Sequence, residues 1–420
     1  MTRTTWLTGA ALSVLLVAAS FSFFQPPAAL EHCAYIWQRK WTPQVGEAVQ
    51  TATPHMAGFA VLAAEISFDK TGPSAVFVQP DYHVLRSSST PVVLCLRIGS
   101  WSGPFAGNDN IAHFVSDTIG KIIRNAENGG LQPEELQIDF DCGSAQLTGY
   151  AIWLHKIRRE LGNIRLSFTA LPDWLQQPDF PRLIAEADCF VLQVHSLTQS
   201  PDKKGYTICE AQKAFEWAKH AALFQKQFYV ALPTHGYRLT MDQQGRVLDV
   251  TAEESDLLPQ IGEQRQTVFS DWREMSMLVK KLTQESLLNL RGIMWYRLPV
   301  AGDRLNWSLP TLLALVSGRD PISRVRVLEN RKEENLVELL IKNEGETVIH
   351  RASFRIAWEQ SELLAADSLS GFTMERGDKG VIMTADQIDY AGLYPGEQKT
   401  VAWLRFYQRP TLENTMLFVH

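Results

Sequence analysis

From Ala34 to about Gly318 the chain alternates short β-rich runs with stretches of helical apolar spacing. That alternation leaves few folds open, because repeated βα units build a parallel sheet covered by helices. The unit recurs eight times: AYIWQ from Ala34, FAVLAAEI from Phe59, VVLCLRI from Val92, LQIDFDC from Leu136, RLSFTAL from Arg165, CFVLQVH from Cys189, FYVALPTH from Phe228 and GIMWYRLP from Gly292. Eight parallel strands close on themselves, so the expected class is α/β, a (β/α)8 TIM barrel over residues 33–318. Helices are expected at Asn110 to Asn125, Leu147 to Leu161, Cys209 to Phe224 and Trp272 to Asn289. The crossover from Asp69 to Pro91 has prolines and an RSSST cluster but no helical period, which predicts a loop or hairpin. The seventh crossover is long, and its alternation around Asp242 to Gly245 predicts a β-hairpin lid over one end of the barrel. After Gly318 alternating strands separated by turns predict a small C-terminal β-sandwich over residues 322–420.

The chain of 420 residues is 45% hydrophobic and 20% charged, enough apolar surface for two folded units. A net charge of −6 without a Lys/Arg run argues against nucleic acid, whose phosphates demand a cationic surface. Trp6 to Phe24 carries no charge and follows Arg3, so residues 1–30 read as a signal peptide or an N-terminal membrane anchor. The remainder is therefore expected to be exported, periplasmic or extracellular, with an inner-membrane tether through residues 6–24 as the alternative to cleavage. The five cysteines form no CxxC pair, and Cys95 and Cys189 lie in apolar runs, which favours buried thiols over a zinc site.

Side chains alternate along a strand, and in a closed barrel one set faces the helices and the other the interior. Leu136, Ile138 and Phe140 form a helix-facing set, leaving Gln137, Asp139 and Asp141 inward. The same reasoning places Glu65 with Val61 and Ala63, Arg97 with Cys95, Gln193 and His195 with Val191, His235 with Ala231, and Trp295 and Arg297 with Ile293. These residues lie near the carboxyl ends of their strands, where such barrels assemble their sites. Asp141, Asp139 and Glu65 are the candidate acid/base groups, and Arg97, Gln193, His195, His235, Tyr237, Trp295 and Arg297 the candidate substrate contacts. Arg97 and Asp139 fall on neighbouring strands, so a purely structural ion pair is the competing reading for them. Trp37, Trp41, Trp101, Trp174, Tyr237, Trp295 and Trp307 fall at or just after strand ends, which points to a carbohydrate ligand. No HxH or HExxH spacing indicates a metal, and no cofactor is expected.

The ordered segments LQIDFDC, FTALPDWL, FVLQVHSL, YVALPTHGY and GIMWYRLPVAGDRLNW, followed by LYPGEQKTVAWLRF, resemble the bacterial domain-of-unknown-function family 3142 from about Cys33 to Phe406. That resemblance implies a glycoside-hydrolase-like barrel of unassigned activity. Asp139-Phe-Asp141 is also similar to the fourth strand of family 18 chitinase-like enzymes, whose Asp-x-Asp-x-Glu pattern ends in a general acid, but position 143 here is Gly. Two functions are therefore carried forward. One is a glycan hydrolase with Asp141 as general acid/base, Asp139 as its stabilising neighbour and Glu65 across the mouth; the other is a non-catalytic envelope glycan-binding protein on a degenerate barrel. A metal-dependent hydrolase using His195, His235 and the carboxylates is a third option.

Overall fold

The computed structural model of the protein describes residues 29–200, 205–252, 264–388 and 392–419. The apolar run at residues 6–24, read as a signal or anchor, lies outside the described residues. Among the described residues no helix is long and apolar enough to cross a membrane.

Eight parallel strands form the barrel: β1 (Glu31–Ile36), β2 (Gly58–Asp69), β3 (Val92–Ile98), β4 (Glu135–Phe140), β5 (Arg165–Ala170), β6 (Cys189–Gln193), β7 (Phe228–Pro233) and β8 (Leu290–Tyr296). Each pairs with its sequence neighbours, and β1 closes the ring by pairing with both β2 and β8. Closure brings β8 so near β1 that a Cβ at Gly292 would lie 2.1 Å from the Glu31 carbonyl oxygen, so only glycine fits there. Eight helices follow the strands in turn: α1 (Pro43–Ala52), α2 (Tyr82–Ser88), α3 (Asn110–Asn128), α4 (Leu147–Glu160), α5 (Phe180–Ala185), α6 (Ala211–Ala221), α7 (Trp272–Glu285) and α8 (Leu309–Val316). Leu136, Ile138, Phe140, Leu166, Phe168, Phe190 and Leu192 pack outward in one core with the buried helix faces. Cys33, Tyr35, Ala60, Cys95, Val191, Ala231 and Met294 fill the barrel axis instead.

The Asp69 to Pro91 crossover does contain the expected hairpin, since Gly72–Phe77 pairs antiparallel with the end of β2. It also contains α2, a two-turn helix that the sequence reading missed. Its start is set by Asp81, whose carboxylate accepts the Val84 N–H at 3.0 Å, a local cap that needs no long amphipathic period. The lid is present as Gly236–Met241 paired with Val247–Thr251 around a turn in which Gly245 takes φ +77°. A third strand, Gln264–Phe269, pairs on the other side of Gly236–Met241 and was not anticipated.

Beyond α8 two four-stranded antiparallel sheets stack on one apolar core, which makes the C-terminal unit a β-sandwich. The loop after β8 joins it to the barrel. Arg304 binds Glu397 at 2.6 and 3.0 Å, and the Tyr394 hydroxyl lies 3.1 Å from the Asp303 carbonyl and 2.9 Å from that of Asn306. All five cysteines are buried free thiols.

Candidate active site

The carboxyl ends of the strands surround a cavity of about 190 Å³ lined by Tyr35, Trp37, Arg97, Asp139, Asp141, Thr169, Gln193, His195, Ala231, Tyr237 and Tyr296. Its floor is a polar layer inside the barrel. The Tyr35 hydroxyl donates to Gln137 Oε1 at 2.6 Å, and Gln137 Nε2 donates to Ser167 Oγ at 3.3 Å. Above it, Arg97 Nη1 reaches Asp139 Oδ2 at 2.8 Å and Thr169 Oγ1 donates to Asp139 Oδ1 at 2.8 Å. Both oxygens of a buried carboxylate are thus held, as desolvation requires. Burial alone would lower the Arg97 guanidinium, but the carboxylates around it, Asp139 first, leave it raised.

Asp141 stands one position past the end of β4, at the solvent-exposed rim, and among the described residues no hydrogen bond ties its carboxylate. Crowding by the protein around it and the negative charge of Asp139 push it up to about 6, with Arg97 pulling the other way. The two imidazoles behave oppositely. Burial drives His195 down to about 3, helped by His235, and drives His235 down to about 4, so both are neutral near pH 7. His195 stacks on the Tyr296 ring at 5.3 Å. His235 donates from Nδ1 to the Tyr296 carbonyl at 3.1 Å, since a carbonyl only accepts, and its Nε2 has no hydrogen-bond partner among the described residues. Burial raises Tyr237 and Tyr296, which remain protonated phenols.

The expected site residues thus divide. Arg97, Asp139, Asp141, Gln193, His195 and Tyr237 meet at the cavity, and His235 lies directly beside it with its ring edge-on to His195 and Tyr237. Glu65 does not line the cavity; it binds Arg39, with Arg39 Nη2 at 3.0 Å from Oε1. It also faces Arg97 for a reason other than simple alternation. A β-bulge between Leu62 and Ala64 leaves Val61 and Ala63 on the helix side and resets the register so that Glu65 pairs with Arg97.

Trp295 is a correction. It is fully buried on the helix side with Ile293, its Nε1 bonded to His32 Nδ1 at 3.1 Å, and the inward residues of β8 are Met294 and Tyr296. Arg297 is likewise turned from the cavity. It binds Asp303 Oδ2 at 2.7 Å and the Ala252 carbonyl at 3.2 Å, tying the lid to the loop after β8. Of the seven aromatics proposed as platforms, Trp37 and Tyr237 line the cavity, whereas Trp174, Trp295 and Trp307 are buried in the core and Trp41 and Trp101 pack against it. Tyr35, Thr169 and Tyr296 were missed. The first two were legible, since placing Ala34, Ile36, Leu166, Phe168 and Ala170 outward puts Tyr35, Trp37, Ser167 and Thr169 inward. Among the described residues no three His, Cys, Asp or Glu side chains are grouped to hold a metal ion.

Among solved structures the chain is similar to the spore cortex-lytic enzyme SleL of Bacillus cereus, at 15% identity and a TM-score of 0.48 over 69% of this chain and 74% of that one. It is also similar to a chitinase from Chromobacterium violaceum, at 14% identity and 0.47 over 69% and 98%. A xylanase and α-amylase inhibitor protein from Scadoxus multiflorus gives 13% identity and 0.45 over 70% and 99%. No curated protein sequence matches the chain. The match to a family is firmer, for residues 88–301, just over half the chain, fit the model of one family, and the chain belongs to that family, described as Domain of unknown function (DUF3142).

Proposed function

We propose that the protein is a glycan-acting hydrolase whose barrel mouth works by carboxylate acid/base chemistry. The observation that carries this reading is the contrast between two neighbouring carboxyls, Asp139 held by Arg97 and Thr169, and Asp141 unbound and raised to about 6. A raised carboxyl beside one held by hydrogen bonds divides the roles of proton donor and fixed neighbour. Asp141 gives its proton to the leaving glycosidic oxygen as the C–O bond breaks, water then bonds to the anomeric carbon and returns a proton to the Asp141 carboxylate, and the anchored Asp139 stabilises positive charge developing at the sugar. His195 and His235, neutral near pH 7, act as hydrogen-bonding groups rather than acids. Trp37, Tyr237 and Tyr296 supply the apolar faces on which a sugar ring rests. A cavity of about 190 Å³ is small beside the roughly 300–1,000 Å³ of ordinary ligand pockets, which suits one terminal sugar rather than a threaded chain.

The test is release of new reducing ends from a panel of bacterial and plant polysaccharides. Release by the wild type, reduced about 10²- to 10⁴-fold in Asp141→Asn with folding unchanged, supports the assignment.

A second reading, a non-catalytic glycan-binding protein, draws on Gly143, which stands where an Asp-x-Asp-x-Glu strand would carry its acid, and on Glu65 being engaged by Arg39. It expects glycan binding without turnover, and binding that survives Asp141→Asn.

A further inference from the structure

The two most exposed large apolar side chains among the described residues are Leu288, at 77%, and Leu223, at 74%. Scattered surface leucines are ordinary. What distinguishes these is position. Both occupy loops at the amino ends of the strands, on the face opposite the cavity: Leu223 in the short turn Ala222–Phe224 before β7, and Leu288 between α7 and β8. β8 lies between β7 and β1, so the two leucines lie on one side of the place where the chain enters the barrel, before the first and second strands from β1.

Only residues 25–30 separate that place from the charge-free apolar run Trp6 to Phe24. Six residues reach at most about 20 Å. A bilayer holding that run therefore lies against this side of the amino-end face. The charges do not distinguish the two sides: across the barrel the exposed Glu127, Glu134 and Glu160 stand with the exposed Arg124, Arg159 and Arg165, and Lys226 and Arg291 lie beside the leucines. The near side also carries Glu285 and Glu31, the latter paired with Arg291 at 2.6 Å.

We propose that the amino-end face around Leu223 and Leu288 is a lipid-docking surface. It seats the barrel on the bilayer that retains residues 6–24 and turns the mouth with Asp139 and Asp141 away from the lipid. A membrane segment and a second apolar contact together fix orientation, which a flexible tether alone does not.

The five native cysteines are buried, so a dye can be placed selectively on an introduced thiol. The full-length chain is reconstituted into phosphatidylcholine and phosphatidylglycerol vesicles carrying an environment-sensitive dye at Leu223→Cys, at Leu288→Cys or, as reference, at Leu417→Cys on the sandwich. Leu417 is 51% exposed. The expected result is emission moved to shorter wavelength, and quenched by a spin-labelled lipid, at 223 and 288 but not at 417. Equal, water-like emission at all three sites overturns the proposal, as does a chain that does not stay with the vesicles. A shift that needs no lipid and grows with protein concentration assigns the leucines to a second copy of the chain and overturns it as well.

Discussion

Asp139 lies in β4 and Asp141 one position past its end, and the two differ in burial and in hydrogen-bond partners. Asp139 is buried and accepts from Arg97 and Thr169, while Asp141 is unbound at the rim beside its neighbour's charge. A hydrolase that uses Asp141 as its acid loses activity as pH rises through about 6, so the basic limb of its kcat/KM profile falls there. The same shift has a consequence for stability. Because the folded carboxyl holds its proton more tightly than the unfolded one, its contribution is fully present below the ordinary Asp range and is lost as pH rises through about 6. Thermal unfolding of Asp141→Asn is therefore expected to gain on the wild type between pH 4 and pH 7, with no such gain at lower pH. Arg97 acts in the other direction. Arg97→Met strands a buried carboxylate and is expected to cost about 2 kcal/mol in denaturant unfolding, below the figure for a fully buried pair because much of the Arg97 side chain reaches solvent. A cost near zero would remove Arg97 as the partner that holds Asp139.

At the scale of elements, the lid is a three-stranded sheet tied to the loop after β8 by Arg297 and by the Gly236 N–H, which donates to the Leu305 carbonyl at 2.8 Å. Arg297 joins the Ala252 carbonyl, at the end of the lid strand Val247–Thr251, to Asp303 in the loop after β8. Losing a charged hydrogen bond there is expected to raise amide exchange in residues 247–251 about tenfold in Arg297→Met, while β4 keeps its protection. The eight strands were legible in the sequence because strands covered by helices carry their own alternation, and apolar runs such as Leu166, Phe168 and Ala170 mark the outward set directly. Three features were not. The short helix Tyr82–Ser88 depends on one cap, and Gln264–Phe269 has a single buried residue, so neither displays a period. In β8 Trp295 does share a face with Ile293, as alternation requires, but that face meets the helices, so the inward residues are Met294 and Tyr296.

For the whole molecule, the sandwich supports the rim of the mouth. Tyr394 and Glu397 hold the loop that carries Asp303, Arg304 and Asn306, and through Arg297 that loop holds the lid. Removing the hydroxyl in Tyr394→Phe is expected to cost about 1 kcal/mol, read as a lower urea midpoint with an unchanged slope. The chain is thus a barrel whose floor is a closed polar layer, whose rim is braced by a second unit, and whose Asp141 carboxyl faces the cavity without a hydrogen bond from the described residues. The account stands most directly on the protonation of that group. A carbon-13 NMR titration of the Asp141 side-chain carboxyl, assigned through Asp141→Asn, is predicted to show its midpoint near pH 6. A midpoint in the ordinary aspartate range, near 4, would contradict the account, because Asp141 would then already be ionised between about pH 5 and 6, where the account needs it to carry the proton it gives.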